Sequence, residues 1–186
     1  MPSFDRPIDT DIPPSLWVLR FVDLIKPGSH VLDLAAGHGR HTNLFLLRGC
    51  QVTAADIDVS GLVDLEPCAS VEIVEGDLEN APWPFRPGVF GGIIVTNYLH
   101  RPHFPDLIQS LSPGGVIIIE TFSSGNEKLG RPRNPDFLLK AGELVAAFSK
   151  DLQIVAYEHG IEHEPRPAVR QRLCAVKSTE PVELKS

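Results

Sequence analysis

Four polar residues sit in or just after apolar runs, where a fold can hold a reactive group still. Asp33 lies in Val31-Leu32-Asp33-Leu34-Ala35 and Asp56 follows Val52-Thr53-Ala54-Ala55. Asp77 comes after Val71-Glu72-Ile73-Val74-Glu75-Gly76, and Asn97 after Ile93-Ile94-Val95-Thr96. The first run leads straight into Ala36-Gly37-His38-Gly39. Glycines at a strand-to-helix turn let backbone approach a ligand, and the helix that follows offers free N–H groups and partial positive charge to an anionic group. An acidic residue about 20 positions further on, at the end of the next strand, is placed to take both hydroxyls of a ribose. Asp56 holds that place, so the set points to a nucleotide-like ligand. A lone Gly-x-Gly serves equally well as punctuation, and Asp56 and Asp58 are also good caps for a following helix.

Two ligand classes share this geometry. A dinucleotide fingerprint needs a third glycine to bring helix and strand together, and Thr42 stands in that position. The turn also carries Asp33, whose charge repels a pyrophosphate but suits an ammonium. S-adenosylmethionine offers an ammonium, a carboxylate, a ribose and an adenine.

These positions need a scaffold. The 186 residues suit one domain that folds without staples. A formal net charge of −7 argues against a broad phosphate-binding face and so against nucleic acid as a partner. Three scattered cysteines, Cys50, Cys68 and Cys174, make neither a disulfide framework nor a zinc site and read as reduced thiols. No apolar run approaches a membrane span and the N-terminus lacks a leader pattern, so a cytoplasmic protein is expected, with oligomeric state open. Residues 1–14, rich in Pro and Asp, read as an arm, and 15–186 as a single domain.

Helices are expected at 15–25, with Ser15 as N-cap, and at 39–48, 60–65, 104–111 and 136–149. Strands are expected at 31–35, 51–55, 71–75, 92–96 and 116–121. A terminal pair at 152–157 and 170–176 is joined by a loop rich in Glu, His and Pro. This order predicts an α/β fold: a three-layer, doubly wound, mostly parallel sheet with an antiparallel strand pair at the C-terminus. Ligands of such sheets lie outside the carboxyl ends of the strands, which is where the four polar residues fall.

The run from Val31 to Arg40 resembles motif I of class I S-adenosylmethionine-dependent methyltransferases, usually written hydrophobic-Leu-Asp-Leu-Gly-Cys-Gly-x-Gly. Val52-Thr53-Ala54-Ala55-Asp56-Ile57-Asp58 is similar to motif II and Glu75-Gly76-Asp77-Leu78 to motif III, with Pro113-Gly114-Gly115 ahead of strand five. The ordered match covers about residues 15–121. It implies a Rossmann-like methyltransferase fold with S-adenosylmethionine as cofactor. Asp33, the backbone at Ala35 and Gly37, and the Gly39 turn would hold the methionine moiety. Asp56 would hold the ribose, Ile57 and Leu78 would sandwich the adenine, and Asp77 would accept the adenine amino group. Ala35 stands where the family has its first glycine, a change that costs little while the backbone there keeps a negative φ. Asn97-Tyr98-Leu99-His100-Arg101-Pro102, followed by Glu120-Thr121-Phe122, is similar to bacterial methyltransferases related to the tellurite-resistance enzyme.

Methyl transfer from a sulfonium is an in-line displacement, and the protein supplies alignment, exclusion of water and, where needed, a base. Asn97, Tyr98 and His100 are the candidates to line the acceptor site, with Asn97 also beside the cofactor. His100 is the candidate base because an unperturbed imidazole titrates near neutrality. The expected acceptor is a small molecule, since nearly the whole chain is spent on the sheet. The rival readings are an RNA or protein methyltransferase, signalled by Arg101, Arg131 and Arg133 aligned at the cleft mouth, and a non-catalytic S-adenosylmethionine-binding protein. His159-Gly160-Ile161-Glu162-His163 matches an inverted zinc-protease order, but that motif needs a helix and Gly160 and Pro165 favour a turn, so no metal is expected.

Overall fold

Seven strands form one sheet in the order β3-β2-β1-β4-β5-β7-β6. The computed structural model describes residues 12–66 and 68–183; most of the expected arm, and Pro67, lie outside the described residues. β1 (His30–Leu34), β2 (Gln51–Asp56), β3 (Val71–Glu75), β4 (Phe90–Thr96) and β5 (Leu111–Phe122) run parallel. β7 (Ala168–Val176) pairs antiparallel with both β5 and β6 (Gln153–Glu162). The expected sheet is present, with the last strand inserted beside β5.

Buried β-branched runs alternate between the two faces, as the period of a strand dictates. Leu32, Leu34, Ile93, Val95, Ile117 and Ile119 face α3 (Phe104–Ser110) and α4 (Glu143–Phe148). Val31, Val52, Ile94, Val116 and Ile118 face α1 (Leu16–Phe21), and Phe45 of α2 (Arg40–Leu47) packs among them. Ser15 caps α1: its Oγ accepts the N–H of Trp17 at 3.1 Å and of Val18 at 3.5 Å. The same hydroxyl donates to Glu120 Oε1 at 3.0 Å, which ties the helix start to the sheet centre.

Three expectations are corrected. The helix at 15–25 is α-helical only to Phe21 and ends as a 3₁₀ turn, Val22–Leu24. The helix at 136–149 shrinks to α4, because Leu138 and Leu139 are buried in extended chain, Leu139 bridges Ser123, and Gly142 adopts φ 76° just before the helix. The loop expected at 158–169 is mostly strand. Glu162 pairs with Arg170 and Arg172, and Glu158 lies 3.6 Å from Arg172. These opposite charges across β6 and β7 stabilise pairing that the composition alone reads as loop. His159 therefore lies in a strand that ends at Glu162, not in the helix that the zinc-protease order needs.

Candidate active site

The turn after β1 holds together through a buried carboxylate. Asp33 is 1% exposed, and its Oδ2 accepts both the Thr42 N–H at 2.8 Å and the Thr42 hydroxyl at 2.7 Å. Burial pushes its pKa up to about 7, against the pull of those two hydrogen bonds and of Arg40. The structure thus places Asp33 beneath the turn, anchoring the start of α2, rather than at a ligand-facing surface. Gly39 is fixed by conformation and space together: its φ is 73°, and a Cβ there would lie 2.8 Å from Leu62 Cδ2. Ala35 has φ 56°, the left-handed region. The substitution of glycine by alanine is therefore not conformationally neutral, because Cβ disfavours that region by about 1 kcal/mol.

Asp56 links the first two strand ends. Its Oδ2 accepts the Gly37 N–H at 2.8 Å and its Oδ1 the Asp58 N–H at 3.1 Å, while Asp58 in turn accepts the Ser60 N–H at 2.9 Å. Asp58 therefore closes a turn ahead of the 3₁₀ helix Ser60–Leu65, whose N-cap is Val59, and Asp56 braces the glycine turn. Asp77 organises its own loop through Glu79 N–H at 3.1 Å and Asn80 Nδ2 at 2.8 Å.

Above these strand ends lies a cavity of about 290 Å³. Ala35, Asp56, Ile57, Asp77, Leu78 and Tyr98 line it, together with Leu34, Ala55, Gly76, Glu79 and Asn80. Three carboxylates, Asp56, Asp77 and Glu79, stand among apolar walls, and the first two sit at strand ends as an adenosine requires: acceptors for a diol and an exocyclic amine, and aliphatic faces for a flat base. Ile57 is 64% exposed although it follows a buried strand, so it offers an apolar face that a bound ring would cover. Asp33, Gly37 and Gly39 do not line this cavity; Asp33 and Gly37 act on it through the turn they brace.

A second cavity, about 250 Å³, adjoins the first and shares Glu79 and Tyr98 with it. Asn97, Leu99, Thr121, Phe122, Pro132 and Phe137 complete its lining. Asn97 has φ 56°, a conformation that asparagine tolerates better than most residues, and its Oδ1 accepts from Arg170 Nη1 at 2.8 Å. Tyr98 remains a phenol: burial, then Glu79 and the two aspartates, raise its pKa. His100 lines neither cavity. Its Nδ1 is 3.7 Å from Glu79 Oε2 and its ring packs on His103 with centroids 4.4 Å apart. Glu79, Phe122, Phe137 and Arg170 escaped the sequence reading; the position of Glu79, two residues past Asp77, was the one available signal.

Arg101 does not align with Arg131 and Arg133. It grips Glu143 at 2.5 Å and the carbonyls of Asp136 at 2.6 Å and Leu138 at 2.8 Å, fixing the segment over the second cavity, whereas Arg131 and Arg133 are exposed.

Comparison with known proteins agrees with this geometry. Residues 32–119 match the family model described as a methyltransferase domain. The matched stretch runs from β1 into β5, so the likeness to methyltransferases rests on the part of the sheet that carries the strand ends described above. Among relatives, trans-aconitate 2-methyltransferase of Paracidovorax citrulli is 31% identical over 105 residues, 52% of this chain and 40% of that protein. Demethylmenaquinone methyltransferase of Clavibacter sepedonicus is 30% identical over 138 residues, 68% and 55% of the two chains. The chain spans about half the length of the curated relatives it matches. TehB from Haemophilus influenzae superposes with a TM-score of 0.71 at 19% identity, over 86% of this chain and 61% of that one. A 1,6-didemethyltoxoflavin-N1-methyltransferase from Burkholderia thailandensis, solved with S-adenosylhomocysteine, gives 0.66 at 19% identity, over 87% and 76%. At these identities the solved structures speak for the fold. No described helix is long and apolar enough to cross a membrane.

Proposed function

We propose that this chain transfers a methyl group from S-adenosylmethionine to a small-molecule acceptor by in-line displacement. The observation that carries this reading is the pair of joined cavities. One is walled by Asp56 and Asp77 at strand ends, and the other opens from it past Tyr98 and Glu79. When bound, the cofactor supplies an electrophilic methyl carbon on a sulfonium. Asp56 would accept the ribose hydroxyls, Ile57 and Leu78 would cover the base, and Asp77 would receive its amino group. The backbone of the 35–39 turn, held by Asp33 and Asp56, would meet the methionine end. Asn97 and Tyr98 face the acceptor, while His100 acts on it through Glu79. Arg101 and Glu143 hold the segment that carries Phe137 beside the second cavity, so a bound acceptor would complete its closure. The small second cavity and the engagement of Arg101 favour a small acceptor over RNA, whose backbone requires a track of free cations. The names of the relatives, which include acids and quinone precursors, lend support to small-molecule acceptors in general.

Calorimetric titration with S-adenosylhomocysteine tests the cofactor half. Removing the carboxylate in Asp56→Ala deletes two charge-assisted hydrogen bonds and should weaken binding about a hundredfold. Undiminished binding in that variant would sink the assignment. A labelled-methyl screen of metabolite, RNA and protein extracts tests the acceptor half, with label expected in the metabolite fraction.

A further inference from the structure

The lining of the second cavity constrains what it receives. Among its residues Glu79 is the one carboxylate and no lysine or arginine contributes, so an anionic acceptor meets repulsion. The Arg170 guanidinium lies 4.4 Å from the centroid of the Phe122 ring, while also paired with Glu162 and bonded to Asn97. A ring already engaged by a cation is a poor platform for a second one, which disfavours a cationic acceptor. Beside the neutral polar groups of Asn97, Tyr98 and Thr121, the lining offers the flat apolar surfaces of Phe122, Phe137 and Pro132, with Glu79 as its charged group. Phe137 is 46% exposed on the covering segment, a large aromatic surface that a bound ring would bury. At about 250 Å³ the space falls just under the range of roughly 300–1,000 Å³ typical of drug-sized ligands, which suits one ring or two fused rings.

We infer that the acceptor is a neutral, planar aromatic or heteroaromatic molecule bearing an N–H or O–H. It seats against Phe122 and Phe137 and donates that hydrogen to Glu79, whose Oε2 lies 3.7 Å from His100 Nδ1. This rests on the methyl-transfer reading above. The carboxylate fixes the rotation of the ring in its plane, and the two phenylalanines fix the plane itself.

The test measures binding to the complex of this protein with S-adenosylhomocysteine, by calorimetry and saturation-transfer NMR. The probes are indazole, 1-methylindazole, the cation benzyltrimethylammonium, and the anions trans-aconitate and selenite. Indazole should bind most tightly, and Phe137→Ala should weaken it about five- to tenfold while S-adenosylhomocysteine affinity is kept. Blocking the donor in 1-methylindazole should cost about tenfold or more in the wild type, and that ratio should collapse towards unity in Glu79→Ala. The inference is overturned if S-adenosylhomocysteine binds but a cation or anion outcompetes indazole. It is also overturned if Phe137→Ala leaves indazole binding unchanged, or if the methyl ratio survives in Glu79→Ala. Failure to bind S-adenosylhomocysteine at all refutes the methyl-transfer reading instead.

Discussion

Replacing Asp33 by asparagine should change how the stability of this domain depends on pH. Asp33 is buried, and desolvation outweighs the two hydrogen bonds from Thr42, so its pKa rises to about 7 from 3.8. A carboxyl whose folded-state pKa is raised binds its proton more tightly in the native state than in the unfolded chain. Its favourable contribution is complete below about pH 4 and is lost as pH rises through about 7. Each unit of that difference corresponds to about 1.4 kcal/mol, so the wild type should lose about 2–3 kcal/mol through this residue between pH 5 and pH 8. Asparagine keeps an oxygen for the Thr42 N–H and does not titrate. Urea unfolding of both proteins at pH 5, 6, 7 and 8 should show the Asp33→Asn variant gaining on the wild type as pH rises. Parallel stability curves would mean that the Asp33 carboxylate is ionised throughout, solvated or paired in a way the buried geometry excludes, and would refute the reasoning.

Ala35→Gly should be neutral or stabilising by up to about 1 kcal/mol in thermal melts, since relief of a left-handed alanine is offset by glycine's greater unfolded-state freedom. Gly39→Ala should cost at least about 2 kcal/mol by the same measurement, because positive φ and a 2.8 Å approach to Leu62 act together. Ser15→Ala should cost about 1–2 kcal/mol in urea unfolding, through the lost cap and the lost donor to Glu120. Glu143→Gln should loosen the covering segment by about 1 kcal/mol, the partner Arg101 being a third exposed, and should speed hydrogen exchange at the Leu138 and Leu139 amides.

The strand-end lining of the first cavity was largely legible in the sequence, and the lining of the second was not. Val31, Val52 and Ile94 announce strands because parallel strands covered on both faces are continuous apolar runs, and the residue that ends each run must fall at the sheet's carboxyl edge. Asp56 and Asp77 are placed by that rule alone. The φ of Ala35 is invisible to it, since nothing in the type of residue 35 reports the backbone angle that the turn imposes. Leu138 and Leu139 resemble a helical stripe in sequence, yet tertiary burial against Ser123 and the β5 end draws them out straight. Phe137 and Pro132 reach the second cavity on this non-periodic segment, Glu79 on another, and Phe122 at the far end of β5. Loops carry no period from which to read their course, and loops are also what a fixed sheet can vary at little cost. In this fold the strand ends fix the first cavity and its carboxylates. The segments at 79 and 129–139 are free to vary the second cavity, so on the proposed reading the charge and flatness of those few side chains are what would select the acceptor.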